Sequence, residues 1–252
     1  MAESSNQIEG TNFQIVQNRD ESGTALSKMI AVLIEHRCPD ASESLDLSQC
    51  GERPVAFGGF GDIYYGKTKN GTPVAIKCAR INVDEMIKDS TLRDVAKELH
   101  AWSKCKHENI VELIGLTRFR GQLATLSPWM KNRALPQYLV QYPDADRFQL
   151  CLQIATGLAY LHDNGMVHGD VKGWNVLVSE TGSAQLTDLG STRLKDASLQ
   201  FTSGTSTTAL SLRWAAPELL GGLSSYSAQA DVYALGMTIL VRTCPSSSLF
   251  ML

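Results

Sequence analysis

Two periods of apolar residues alternate along this chain, and the places where one gives way to the other divide it. Residues 1–21 are polar and follow neither period, the composition of a segment that is expected to stay disordered. Leu26, Met29, Ile30 and Leu33 then fall at helical spacing, with Ser22 or Thr24 as a cap and Pro39 beyond the end. Residues 24–36 therefore read as one amphipathic helix, whose stripe either packs on the domain that follows or docks a partner. Residues 38–52 carry no period and read as a linker. From Pro54 the spacing shortens to that of strands. Val55-Ala56-Phe57, Ile63-Tyr64-Tyr65 and Val74-Ala75-Ile76 are separated by glycine-rich or Asn-Gly turns, as in a meander of hairpins.

Helical spacing returns at Leu92, Val95, Ala96, Leu99 and Trp102, with Asp89 or Ser90 near its start. His107 to Val111 reads as a turn feeding a strand. Asp144 or Asp146 is placed to cap a longer helix through Leu150, Ile154, Leu158 and Leu161, ended by Asn164-Gly165. Two short apolar runs, Met166-Val167 and Val176 to Val178, then enclose a polar loop. The last helix opens at Asp231 and is apolar nearly all round, so burial on every side is expected of it.

Composition narrows the picture by exclusion. At 252 residues the chain has room for one large domain or two lobes with a substantial core. Charged residues make up 19 % and the net charge is -3, a balance without the mark of a nucleic-acid or membrane-surface partner. The 6 cysteines (38, 50, 78, 105, 151 and 244) form no C-x-x-C pair. With an N-terminus unlike a signal peptide, this predicts reduced thiols and a cytoplasmic chain, a nuclear one remaining open. No apolar run approaches the roughly 20 residues that a membrane helix needs.

The candidate chemistry lies in the polar loop, V-H-G-D-V-K-G-W-N-V-L-V from Val167 to Val178. It offers the carboxylate of Asp170, the ammonium of Lys172 and the amide of Asn175, with Asp188 following in T-D-L-G. An Asp can orient a hydroxyl nucleophile while an Asn and a second Asp hold a metal that carries a phosphate. An Asp/Asn/Gly-rich turn between two strands is the plainer alternative. Gly58, Gly59 and Gly61 would let backbone N–H groups approach phosphate oxygens, although ordinary turns look the same. Lys77 ends an apolar strand, where strand alternation alone leaves it facing solvent. Glu98 flanks the stripe of its helix, able to turn inward to an ammonium or to stay exposed.

Taken together and in order, A-F-G-G-F-G-D-I-Y, V-A-I-K, a helix glutamate, H-E-N-I-V, H-G-D-x-x-x-x-N, D-L-G and A-P-E resemble the protein kinases over roughly 54–240, in the style of tyrosine-kinase-like serine/threonine kinases of fungal type. The resemblance implies an α+β, two-lobed fold. An antiparallel sheet with one helix (54–127) would stack on a mostly helical lobe (128–241) that lacks its last helices. Residues 1–53 would be an extension, and 242–252 a divergent tail. It implies ATP and Mg²⁺ as cofactors, a protein substrate, and a γ-phosphoryl transfer to Ser or Thr. Asp170 would be the base, and Lys172 would meet the γ-phosphate. Lys77 would contact the α- and β-phosphates and pair with Glu98, while Asn175 and Asp188 would ligate Mg²⁺. The nucleotide would be lined by Ala56, Phe57, Gly58, Gly59, Gly61, Ile63, Ala75, Lys77, Ser127, Pro128, Met130, Leu177 and Asp188.

Departures from the family pattern qualify this. Ala56 replaces the first loop glycine and stiffens that edge. Ser127 stands at the gatekeeper position, where a small residue opens the back pocket. Gly169 replaces an arginine that often pairs with an activation-loop phosphate, and Leu189 stands for Phe. Ser211 occupies the position of a Ser/Thr that touches the catalytic Asp and Lys, and Thr202, Ser203, Thr205, Ser206, Thr207 and Thr208 are candidate autophosphorylation sites. The arginine that would pair with Glu218 is absent. Because the helical lobe would lack its last helices, a second reading keeps the fold as a catalytically weak or inactive, pseudokinase-like scaffold or regulator.

Overall fold

The computed structural model describes residues 26–28, 30–35, 37–58, 61–79, 99–189, 193–194, 211–221 and 226–243. Expectations for residues 1–21, Ser22, Thr24, Met29, Gly59, the start of the helix from residue 89, Glu98, the hydroxyls at 202–208 and the tail lie outside the described residues.

The chain folds in the two-lobed α+β manner that the resemblance implies. The first lobe is a six-stranded antiparallel sheet in the order β1-β3-β4-β6-β5, with β2 on the other part of β3. Its strands are β1 (Leu45–Asp46), β2 (Ala56–Gly58), β3 (Gly61–Thr68), β4 (Pro73–Ala79), β5 (Gly115–Phe119) and β6 (Gln122–Pro128). Local chemistry sets the turns. Asn70 and Gly71 join β3 to β4, with the Asn70 side chain accepting from the Thr72 N–H at 3.1 Å. Arg120 and Gly121 join β5 to β6 with φ of 50° and 79°, the two positive values that a tight hairpin turn requires. The Arg120 guanidinium also lies 4.9 Å from the Tyr64 ring centroid, a cation on an aromatic face.

Strand alternation sorts the central strand β4. Val74, Ile76 and Cys78 are buried against Ala124, Leu126 and Phe119, so the residues between them, Ala75 and Lys77, take the opposite face. Burial also acts on the thiols. All five described cysteines are free, and desolvation pushes Cys38, Cys78 and Cys105 each up to about 11.

The stretch read as a linker is part of the sheet. Asp40 bridges Leu116 in parallel, Ala41 N–H donates to the Leu116 carbonyl at 2.8 Å, and Leu45–Asp46 pairs with β3. Gly115 is required there, because a Cβ would lie 2.7 Å from the Pro39 carbonyl. Before it, residues 26–28 and 30–35 are helical, as the spacing predicted. Leu26 and Leu33 are buried in the same cluster as Leu99, Trp102 and Cys105. Leu26 and Leu33 of the apolar stripe thus pack on the domain that follows, the first of the two alternatives for this helix.

His107 to Val111 forms a turn but feeds no strand directly: β5 begins only at Gly115. The turn instead ties the lobes together. Asn109 is buried and donates to the Ala184 carbonyl at 3.0 Å, and Trp102 Nε1 donates to the Val111 carbonyl at 2.8 Å. The second lobe is built around a long helix, Arg147–Asp163, capped by Asp146 rather than Asp144. Its apolar stripe Leu150, Ile154, Leu158 and Leu161 is buried, and Gly165 leaves the helix with a φ of 72°. Strands β7 (Met166–Val167), β8 (Val176–Val178), β9 (Ala184–Leu186) and β10 (Arg193–Leu194) form two small hairpin-like pairs beside it. The last helix spans Ala228–Thr243, so Asp231 sits in its first turn rather than opening it. Ser227 precedes it and its hydroxyl accepts from the Ala230 N–H at 3.2 Å. Val232, Tyr233 and Leu240 are exposed on this helix among the described residues, so its apolar surface is buried on one side and open on the other there.

Leu33 is fully buried, so Leu33→Ala is expected to lower stability by about 2–5 kcal/mol in urea unfolding. A dispensable extension would show less than about 0.5 kcal/mol.

Candidate active site

The polar loop is fixed from beneath by one carboxylate. Asp231 is 2 % exposed and accepts from the backbone N–H of His168 at 2.8 Å and of Gly169 at 2.9 Å. Its Oδ2 also lies 2.9 Å from His162 Nε2, which the long helix supplies from below. A carboxylate removed from water needs several donors to offset its lost hydration, and three converge on it here. His168 is buried and oriented at both nitrogens. The Asp170 N–H donates to Nδ1 at 3.3 Å, so Nε2 carries the proton and donates to the Thr187 carbonyl at 3.0 Å. Gly169 has a φ of 80°, a backbone state that the absence of a Cβ permits.

Above this base the chemical groups converge. Lys172 Nζ donates to Asp170 Oδ2 at 2.6 Å and to Ser211 Oγ at 3.1 Å. The Ser211 hydroxyl donates to Asp170 Oδ1 at 3.1 Å. Asn175, placed by the 3-10 turn Gly173–Asn175, directs its Nδ2 to both the carbonyl and the Oδ2 of Asp170, each at 2.8 Å. The arrangement is a carboxylate holding a hydroxyl on one oxygen and a cation on the other. That is what a base needs to accept a proton from an alcohol.

The second half of the site comes from the sheet. Register places Ala56 beside Ile63, Ile63 beside Lys77, and Ala75 beside Ser127. Gly58 faces Gly61 at the end of the β2–β3 pair, and Phe57 beside them is exposed. Pro128 ends β6, Met130 follows it buried, and Leu177 lies on β8 across from Gln185. Lys77 reaches from the sheet to Asp188 of the other lobe and forms an ion pair with its Oδ1. This answers the question that strand alternation left open: Lys77 faces the cleft. Asp188 holds a φ of 66°, a left-handed state that a non-glycine residue adopts at a cost and that clusters at working sites. Among the described residues no group of three or more His, Cys, Asp or Glu is gathered as a ready-made metal cage. Asn175 is bonded to Asp170 through its Nδ2, and Asp188 carries the ion pair to Lys77.

His162 and the Thr187 carbonyl belong to this site, and sequence reading did not find them. His162 lies 69 positions from its carboxylate, so no local pattern marks it.

The model of the family described as "Protein kinase domain" matches residues 52–250. Among curated proteins, a probable serine/threonine-protein kinase of Dictyostelium discoideum is 31 % identical over 74 % of this chain and 37 % of its own length. MAP3K epsilon protein kinase 1 of Arabidopsis thaliana is 28 % identical over 81 % of this chain and 15 % of its own. Tyrosine-protein kinase Fer of Mus musculus is 27 % identical over 94 % of this chain and 30 % of its own. The chain thus spans well under half the length of these relatives.

Asp231→Asn keeps the shape but turns an acceptor into a donor facing backbone N–H groups. Stability is expected to fall by about 1–3 kcal/mol, with the His168 and Gly169 amides losing hydrogen-exchange protection first. Unchanged protection at those two amides would show that the loop is held by something else.

Proposed function

The chain belongs to the protein kinase family, and from that premise we propose that it transfers the γ-phosphoryl group of ATP to serine or threonine hydroxyls of a protein substrate. The carrying observation is the Ser211 hydroxyl, 3.1 Å from both Asp170 Oδ1 and Lys172 Nζ. A serine-type alcohol already fits between this carboxylate and this ammonium. The substrate hydroxyl takes the same kind of place, gives its proton to Asp170, and forms the new O–P bond as the bond from the γ-phosphorus to the β–γ bridging oxygen breaks. ADP leaves with that bridging oxygen. Lys172 lies beside the carboxylate and offsets negative charge on the transferring group.

Lys77 binds the α- and β-phosphates, and Glu98 is its expected carboxylate partner. Ala56, Ile63, Ala75, Ser127 and Leu177 form the walls of the nucleotide site, with backbone of the 128–130 segment meeting the adenine. Asn175 and Asp188 fit Mg²⁺, because their donors are a neutral amide oxygen and a carboxylate, hard ligands too few to encage an ion without phosphates and water. When bound, Mg²⁺ would neutralise charge on the β- and γ-phosphate oxygens. Asn175 has a second task that needs no metal: its Nδ2 holds Asp170 in place. The tyrosine-kinase-like character, fungal type and cytoplasmic placement stand on motif style and thiol usage.

Radiolabelled ATP supplied to the chain and to Asp170→Ala gives the direct test. Transfer to a mixed protein substrate is expected to fall by about 10²–10⁴ in the variant. Equal label in both would refute the assignment. Because Gly169 offers no guanidinium to a loop phosphate, phosphatase-treated chain is expected to keep its transfer rate. Inert dephosphorylated chain that regains activity on phosphorylation would contradict this.

A further inference from the structure

Residues 26–28 and 30–35 are helical, and Arg37 follows with a φ of 65°, a left-handed state that ends the helix and turns the chain. The Cys38 N–H donates to the Leu33 carbonyl at 3.1 Å and closes the turn. Turned this way, the segment meets two different supports. On one side Leu26, Leu33 and Cys38 are buried in one apolar cluster with Leu99, Trp102 and Cys105. His100 Nδ1 donates to the Arg37 carbonyl at 3.2 Å on the same side. On the other side the segment lies along β5. The Leu116 N–H donates to the Pro39 carbonyl and the Ala41 N–H to the Leu116 carbonyl, each at 2.8 Å.

Each support leads to one member of the Lys77–Asp188 ion pair. Across the sheet, Asp40 lies beside Leu116, Leu116 beside Thr125, and Thr125 beside Lys77. One row of residues thus joins the segment to the lysine over three strand spacings, about 14 Å. Through the helical residues 99–104, Trp102 Nε1 donates to the Val111 carbonyl at 2.8 Å, and the Val111 N–H donates to the Leu186 carbonyl at 2.9 Å. Leu186 stands two residues before Asp188. Gly115 marks how closely the segment is held. The three nearest atoms to a Cβ there all belong to it: the Pro39 carbonyl at 2.7 Å, the Ala41 Cβ at 2.9 Å and the Ala41 nitrogen at 3.1 Å.

We propose that residues 26–41 are a positioning element for the phosphoryl-transfer site, a brace that sets Lys77 against Asp188 by gripping the supports of both. This rests on the kinase reading of that site. The brace matters because a displacement of about 1 Å between reacting groups can cost on the order of 10²-fold in rate.

Two variants of the full chain loosen the brace from opposite sides, Leu33→Ala from its helix and Gly115→Ala from the strand it lies on. Leu150→Ala, on the long helix of the other lobe, gives the effect of lost stability alone. Temperature is set so that all three are folded to the same fraction. Transfer from radiolabelled ATP to a mixed protein substrate is measured beside hydrogen exchange at the Val111 and Leu186 amides. In both brace variants kcat is expected to fall about tenfold below that of Leu150→Ala, with the half-saturating substrate concentration unchanged. Both amides are expected to exchange faster than in Leu150→Ala. A kcat no lower than in Leu150→Ala, a loss confined to substrate affinity, or unchanged exchange at either amide would overturn the proposal. Native chain that transfers no phosphate would refute the kinase reading instead. Exchange at Val111 and Leu186, read against Leu150→Ala, then decides alone whether the brace holds the Asp188 side.

Discussion

A buried carboxylate, Asp231, is the constraint on which this architecture turns. An ion taken out of water must be surrounded by donors, and each donor it draws becomes fixed in turn. Here the donors are the His168 and Gly169 amides and the His162 ring, which lie 62 to 69 positions before Asp231 in the chain. Helix Ala228–Thr243, helix Arg147–Asp163 and the polar loop therefore cannot shift independently. The precision of Asp170 follows from this arrangement. Its N–H is bonded to His168, whose own N–H is held by Asp231, and His168 is locked at its far side to Thr187.

A second constraint runs between the lobes. The sheet presents Lys77 to the cleft because Val74, Ile76 and Cys78 claim the other face for the core. Its ion pair with Asp188, together with the Asn109 turn against Ala184 and Leu186, joins sheet and helices at two separate places. Around the back, residues 37–41 lie along β5 and touch the helix at 99–104, with the Arg37 carbonyl 3.2 Å from His100 Nδ1. Segments that sequence reading placed outside the domain contribute to the support of its central helix. The exposed side of helix Ala228–Thr243 has no such cover among the described residues, in contrast to the tightly bonded first turn.

How much of this was legible in the residues varies with the range of the interaction. Helices and hairpins were, because periods of 3.6 and 2.0, an Asp146 cap and an Asn-Gly turn act over a few residues. The loop chemistry was legible as a set of residue types, and Asp170, Lys172, Asn175 and Ser211 do meet. The linker reading of 38–52 failed because a two-residue strand and a single parallel bridge have no period to detect. The last helix keeps Val232, Tyr233 and Leu240 exposed among the described residues, because apolar composition states what a helix tolerates, not what covers it.

By itself, the sequence determined the identity and order of the chemical groups and the local elements that carry them, since both rest on contacts between near neighbours. Only the tertiary structure decided that Lys77 pairs with Asp188, that His162 helps to hold Asp231, and that Leu45–Asp46 joins the sheet. Those outcomes depend on packing and on hydrogen bonds closed across tens of residues, where desolvation of one group is compensated by donors that no local pattern announces.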